Sequence, residues 1–319
     1  IEFEAYLMQP DNNGNWVPYD SPGSFVYGTG PMNDPMGVAM AIDEKADQLG
    51  FRIESFNAEF DVGQFEMTLE YDDAMACADE AFLFRAMAMD MAAQRGFRLT
   101  FLPRPILEFG GNGLHVNFSL CDKKGNNLML DSKKEDGLSD LAKSCISGQL
   151  FHMEAMSALC APTANSYKRL QPGQLSGYWK NWGHDHRCAT VRVNPERDHS
   201  TRLENRMPDG AAGVHIAIAS VLTASRLGYE SNMECPEAES GDALEVASTE
   251  EHAPTHLGEA IEKLLQDEVF KNAIGAEMVD QFAAVKTVEW EKYLNANSSW
   301  EESLDRFTDW EASYYLPYL

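Results

Sequence analysis

A chain of 319 residues can bury a large core, and at 44% hydrophobic it carries no apolar run near the roughly 20 residues a membrane helix needs. Its 51 acidic against 25 basic residues leave a formal charge of −26, which repels nucleic acid and anionic membranes and excludes a polyanion-binding role. The six cysteines lie far apart with no C-x-x-C or metal-finger spacing, so buried free thiols in a reducing cytoplasm are expected.

No charged-then-apolar leader precedes Ile1, and the start without Met suggests numbering that begins inside a longer polypeptide. Residues 1–8 alternate as a strand, and a Pro/Asp/Asn/Gly loop follows to Tyr27. A helix is predicted over 35–49, closed by Gly50, then a hairpin of strands 53–59 and 65–70. A long helix over 73–95, stopped by Gly96, carries a methionine stripe (Met75, Met87, Met89, Met91) read as core packing. Strands are expected over 97–102 and 114–120, and a polar surface loop over 123–136. A helix over 138–159, a polar segment over 162–183 and a strand over 188–193 come next. A small-residue helix over 211–227 ends at Gly228, and the acidic stretch 234–251 reads as an exposed loop. Amphipathic helices over 257–266 and 270–294 precede an aromatic tail with Trp300, Trp310, Tyr314 and Tyr315. Strands with polar faces and helices with apolar backing give an α+β class, one antiparallel or mixed sheet with helices packed on its other side.

Chemistry concentrates in polar strands. Arg202, Glu204 and Arg206 alternate, so an extended strand would aim two guanidinium groups and a carboxylate one way. Glu2 and Glu4 share a face for the same reason, and Gly63 lets the chain between Glu59 and Glu66 reverse and bring both acids to a common side. The Gly-rich stretch before His115 delivers an imidazole. Carboxylates with one imidazole suit two hard divalent cations, Mg2+ or Mn2+. Beside Arg169, Arg187, Arg192, Arg202 and Arg206 they read as phosphoryl transfer.

The segments Asn165-Ser166-Tyr167-Lys168-Arg169-Leu170-Gln171-Pro172-Gly173, Gly111 to His115, Arg187 to Arg192, Arg202-x-Glu-x-Arg-x-Pro-Asp209 and Thr308-Asp309-Trp310-Glu311 resemble the catalytic domain of glutamine synthetase, in that family's order. The resemblance implies that Glu4, Glu59 and Glu66 hold one metal and that Glu2, His115 and Glu204 hold the other. It places glutamate at Arg169, Arg206 and the Gly111 backbone, and ATP at Arg187, Arg192 and Arg202 with Ser119 nearby. Arg187 and Glu204 would serve catalysis directly. His152, His184, His186, His199 and His215 match no ligand position and read as ordinary histidines.

Three departures bear on the substrate. Leu175 stands where ammonia-using members carry the glutamate that helps to hold ammonium, Asn117 stands where a second histidine is usual, and the family's small N-terminal domain is absent from the chain. Leucine offers apolar surface in place of a charge, so an alkyl or aryl amine is the expected acceptor, with Asn117 and Leu175 lining its pocket. The expected activity is thus an ATP-dependent ligase joining glutamate to an organic amine. An ammonia-using glutamine synthetase is the alternative, and a non-catalytic structural relative the alternative of another class. The resemblance also implies a mostly antiparallel sheet forming an active-site barrel face backed by helices, 1–319 as one catalytic domain, and a homo-oligomer of stacked rings.

Overall fold

A computed structural model describes all 319 residues. Strand β1 (Glu2–Pro10) and the short β2 (Trp16–Pro18) precede helix α1 (Val38–Leu49), and β3 (Ile53–Ala58) with β4 (Gln64–Leu69) form the expected hairpin. Helix α2 (Ala74–Ala93) leads into β5 (Arg98–Thr100) and β6 (Leu114–Phe118). Helices α3 (Asp140–Phe151) and α4 (Met153–Cys160) and the single turn α5 (Ser166–Arg169) follow, then β7 (Trp182–His184), β8 (Val191–Val193) and β9 (Leu203–Asn205). The remainder is helical: α6 (Val214–Glu230), α7 (Leu257–Gln266), α8 (Glu268–Ile274), α9 (Ala276–Asn297), α10 (Trp300–Ser303) and α11 (Asp309–Tyr314). No helix is long and apolar enough to cross a membrane.

The nine strands form one sheet in the order β3-β4-β1-β6-β9-β8-β7, with β2 and β5 also paired to β1. Every pairing is antiparallel except β7 with β8. The sheet is open between β3 and β7, so the expected barrel is a curved face only. Strand β1 sits at its centre because its sequence alternates: Phe3, Ala5 and Leu7 are buried while Glu2 and Glu4 face the other way. Phe3 packs on Phe84 and Phe101, and burying each such ring stabilises by about 1.5–3 kcal/mol.

Several sequence readings are corrected by packing. The buried stripe of α2 is Ala78, Ala81, Phe84, Ala88 and Ala92, because small residues admit the closely packed neighbouring helices; Met87, Met89 and Met91 pack half-buried against the core as expected, and only Met75 is exposed. The helix predicted over 138–159 breaks at His152, whose Nδ1 lies 2.5 Å from Asp267 Oδ2. The one predicted over 270–294 is two helices, divided at Gly275 with φ 124°. Gly228 does not end α6 but lies within it. A Cβ there would come 2.1 Å from Ser144 O, and one on Gly148 2.1 Å from Ala224 O, so the α3 and α6 backbones touch. The segment 162–183 is largely interior, with α5 buried at all four residues. All six cysteines are free thiols, but only Cys145 and Cys160 are buried.

The acidic stretch 234–251 is anchored rather than loose. Glu239 is buried, and its carboxylate accepts from the N–H groups of Ser240, Gly241 and Ser248, the Ser248 hydroxyl and Asn181 Nδ2. Burial alone would raise its pKa; these donors outweigh it and hold the group at about 2. A folded pKa below the unfolded 4.5 means that this stabilisation is present above pH 4.5 and lost as pH falls toward 2. Glu239→Gln is expected to lower stability at pH 7 by about 1–3 kcal/mol and to flatten the acid limb. Denaturant unfolding at pH 7 and pH 3 checks this, and an unaltered acid limb contradicts it.

Candidate active site

The polar face of the sheet opens into a cavity of about 400 Å3. Cross-strand register assembles its floor: Glu4 lies opposite Glu66, Glu2 opposite His115, Asn117 opposite Glu204, and Glu204 opposite Arg192. Side chains from β4, β1, β6, β9 and β8 thereby form one row, as period-two alternation requires. Glu59 joins from the turn after β3, where its backbone N–H bonds to Gln64 O.

Two donor sets gather within 4.8 Å: Glu4 with Glu59 and Glu66, and Glu2 with Glu66 and His115. The first is the expected set. In the second, Glu66 takes the place expected for Glu204, whose Oε1 lies 3.5 Å from His115 Nδ1 while its carboxylate is engaged by Arg192 and Arg206. Burial and the neighbouring Glu2, Glu4 and Glu59 push Glu66 up to about 9, and burial with Glu4 raises Glu59. His115 Nε2 is buried with no hydrogen-bond partner. Repelling carboxylates beside an unpartnered imidazole nitrogen fit hard divalent cations, which would relieve both.

Arginines cover the other side. Arg206 is buried, pairs with Glu204 and donates from Nε to Arg187 O at 3.0 Å. Burial alone would raise Glu204; Arg206, His115 and Arg192 outweigh it and hold the group at about 2. Arg169 is 2% exposed, and its two terminal nitrogens donate to Met207 O and Arg206 O at 2.9 and 3.0 Å. Gly111 must be glycine here, since a Cβ would sit 2.6 Å from Arg169 Cγ. Arg187 is exposed on the cavity wall, 5.7 Å over the Tyr27 ring, and Arg192 pairs with Asp185 and Glu204.

The cavity brings together Glu2, Glu4, Glu59, Glu66, His115, Gly111, Arg169, Arg187, Arg192, Arg206 and Leu175. It does not include Arg202, Ser119, Asn117 or Glu204, the last being buried and engaged by Arg192 and Arg206. Arg202 Nε donates to Asn117 Oδ1 at 3.2 Å, and Ser119 is solvent-exposed just past the end of β6. Asn117 and Leu175 therefore do not line one pocket, because the side chain of Asn117 is turned to Arg202. None of the five other expected histidines lies on the wall.

Sequence reasoning missed Tyr27, Phe60, Asp61, Gln64, Arg104 and Phe109, which all line the cavity. Asp61 accepts from the N–H of Gly110 at 2.7 Å, and Gln64 Nε2 donates to Gly111 O at 3.0 Å, so the hairpin turn pins the Gly-rich loop. The only signal was the polar content of a turn already placed between two candidate ligands. Tyr27 adopts φ 63°, which no pattern in its neighbours announces.

Comparison with known proteins extends over this whole site. The family model for the glutamine synthetase catalytic domain matches residues 1–304. The glutamine synthetase of Halobacterium salinarum is 33% identical over 316 residues, covering 97% of this chain and 69% of that protein. Gamma-glutamylethanolamide synthetase GlnA4 of Streptomyces coelicolor is 35% identical over 252 residues, covering 79% and 53%. A solved structure of GmaS without ligand superposes with a TM-score of 0.80 at 31% identity, over 99% of this chain and 71% of its own. Fold, site and relatives together define an ATP-dependent carbon–nitrogen ligase. The chain belongs to the glutamine synthetase family, which it matches through the catalytic domain.

Proposed function

We propose that the chain joins the γ-carboxylate of glutamate to an organic amine, using ATP, by way of γ-glutamyl phosphate. The observation that carries this reading is the acceptor wall. Leu175 is 49% exposed and lines the cavity together with Tyr27, Phe60 and Phe109. A hydrocarbon chain gains from such surface, whereas ammonium gains nothing from it.

Glutamate would be held by Arg169, Arg206 and the Gly111 backbone, and the ATP phosphates by Arg187 and Arg192. A γ-carboxylate oxygen attacks the γ-phosphorus and ADP leaves. The amine nitrogen then attacks the activated carbonyl carbon and loses a proton, and inorganic phosphate leaves. Two divalent ions, Mg2+ or Mn2+, held by Glu4, Glu59 and Glu66 and by Glu2, Glu66 and His115 with Glu204 close by, would supply neutralisation of phosphate charge. Arg187, exposed on the cavity wall, is suited to meet charge on the departing phosphate. A stacked-ring homo-oligomer is part of the same reading.

An ammonia-using reaction is the second reading, favoured by Asp61 and Glu108, two further carboxylates on the wall. Phosphate release from ATP with glutamate and a panel of amines, ammonia included, separates the two. We expect kcat/KM to be highest for an alkyl- or arylamine; a best rate with ammonia removes the organic-amine reading.

A further inference from the structure

We infer that the C-terminal helix α11 is a positioning element for Arg169, acting on α5 through the buried Lys168–Glu311 ion pair. This rests on the reading above that Arg169 holds glutamate. One turn of helix has no stability of its own, so the direction in which α5 aims its side chains is set by what grips it.

Arg169 and Lys168 are neighbours on that turn and serve opposite sides. Arg169 lines the cavity; Lys168 Nζ lies 2.6 Å from Glu311 Oε2 and donates to Arg306 O at 2.6 Å, with both side chains of the pair fully buried. Glu311 is saturated: it also accepts from Asn165 Nδ2 at 2.8 Å and from the N–H and hydroxyl of Thr308, each at 2.8 Å, closing a capping box at the start of α11. Asn165 Oδ1 in turn accepts from Arg104 N, and Arg104 Nη1 donates to Lys168 O at 2.7 Å while lining the cavity. Tyr315 adds a third grip, its hydroxyl accepting from Ala164 N at 3.2 Å and donating to Glu289 at 2.7 Å. The contacts of Arg306, Glu311 and Tyr315 reach α5 and the residues just before it from 306–315, beyond the 1–304 matched by the family model.

A charge pair in a dry interior fixes one arrangement, since displacing either partner strands the other without solvent. Misplacing an anchoring arginine by an ångström weakens substrate capture, while Arg187 and Arg192, carried by β8 and the residues before it and not by α5, keep their own supports in Tyr27, Asp185 and Glu204.

The test uses the full chain with Mg2+ and measures KM for glutamate and for ATP, together with calorimetric binding of glutamate in the presence of ADP. Glu311→Gln is expected to raise the glutamate KM roughly tenfold or more and to change the ATP KM by less than about twofold. Tyr315→Phe, which keeps the core filled, is expected to raise the glutamate KM about two- to threefold and covers the case in which Glu311→Gln fails to fold. Arg226→Gln, which breaks an exposed pair with Glu230 on α6 away from the cavity lining, should leave glutamate affinity unaltered. Equal rises in both KM values, or unchanged glutamate affinity in the folded variants, overturn the inference alone. Wild-type protein that binds no glutamate overturns it together with the ligase reading.

Discussion

Glu204→Ala is expected to lower turnover by roughly three orders of magnitude or more, the scale set by loss of preorganised charge in phosphoryl transfer. Glu204 is 2% exposed and is the meeting point of Arg192, Arg206 and His115. Its removal leaves buried cations facing one another, so a fall in stability of about 3–5 kcal/mol accompanies the loss. Glu204→Gln keeps the volume and one acceptor, so it should lose less stability than the alanine variant yet remain inactive, which separates the two effects. Steady-state phosphate release, with circular dichroism to confirm folding, reads both. Near-wild-type turnover in a folded Glu204→Gln protein would remove Glu204 from the reaction.

The second large effect is expected at Leu175. A carboxylate introduced by Leu175→Glu projects into the cavity, not into the core, since the leucine is 49% exposed. Folding is therefore little affected, and the change falls on the acceptor. The new charge can hold ammonium, while it withdraws apolar surface from a hydrocarbon chain and presents it with a hydrated ion. One such contact is worth about 1–3 kcal/mol, so the ratio of kcat/KM for ammonia over the best organic amine should rise roughly ten- to two-hundredfold. Asn117→His is expected to add nothing to this shift, because Asn117 answers to Arg202 and lies off the cavity wall. An unchanged ratio in Leu175→Glu removes the basis for the organic-amine assignment.

Period-two alternation made the floor of the site legible: Glu2 and Glu4 on β1 and Glu204 on β9 fall on one face in the sequence as in the fold. Which carboxylates converge was less legible. Glu66 enters both donor sets because β4 lies directly beside β1, and strand order is not written in alternation. Register also explains Asn117, placed by β9 against an arginine, and Arg202, drawn away from the cavity that Arg206 reaches. Helices were legible as periodicity, but their ends were not. The break at His152 depends on Asp267, 115 positions away, and Gly228 reads as a stop until Gly148 is placed against it. The acidic stretch seemed solvent-bound by composition, while one residue in it, Glu239, collects five donors.

Strand β1 pairs with β2, β4, β5 and β6, and the contact between Glu2 and His115 joins residues 113 positions apart. Closing spans of that length is slow, since chain entropy is lost before the distant pairings return it. Each carboxylate of the floor is an isolated, hydrated side chain until those strands have met, and only then do the groups crowd and repel. Cations captured there would hold the finished sheet, slowing its opening and leaving the rate of its formation nearly as it was. The ions of such a site would be keepers of the fold as well as its chemical equipment, and a protein stripped of them should come apart sooner without having folded any later.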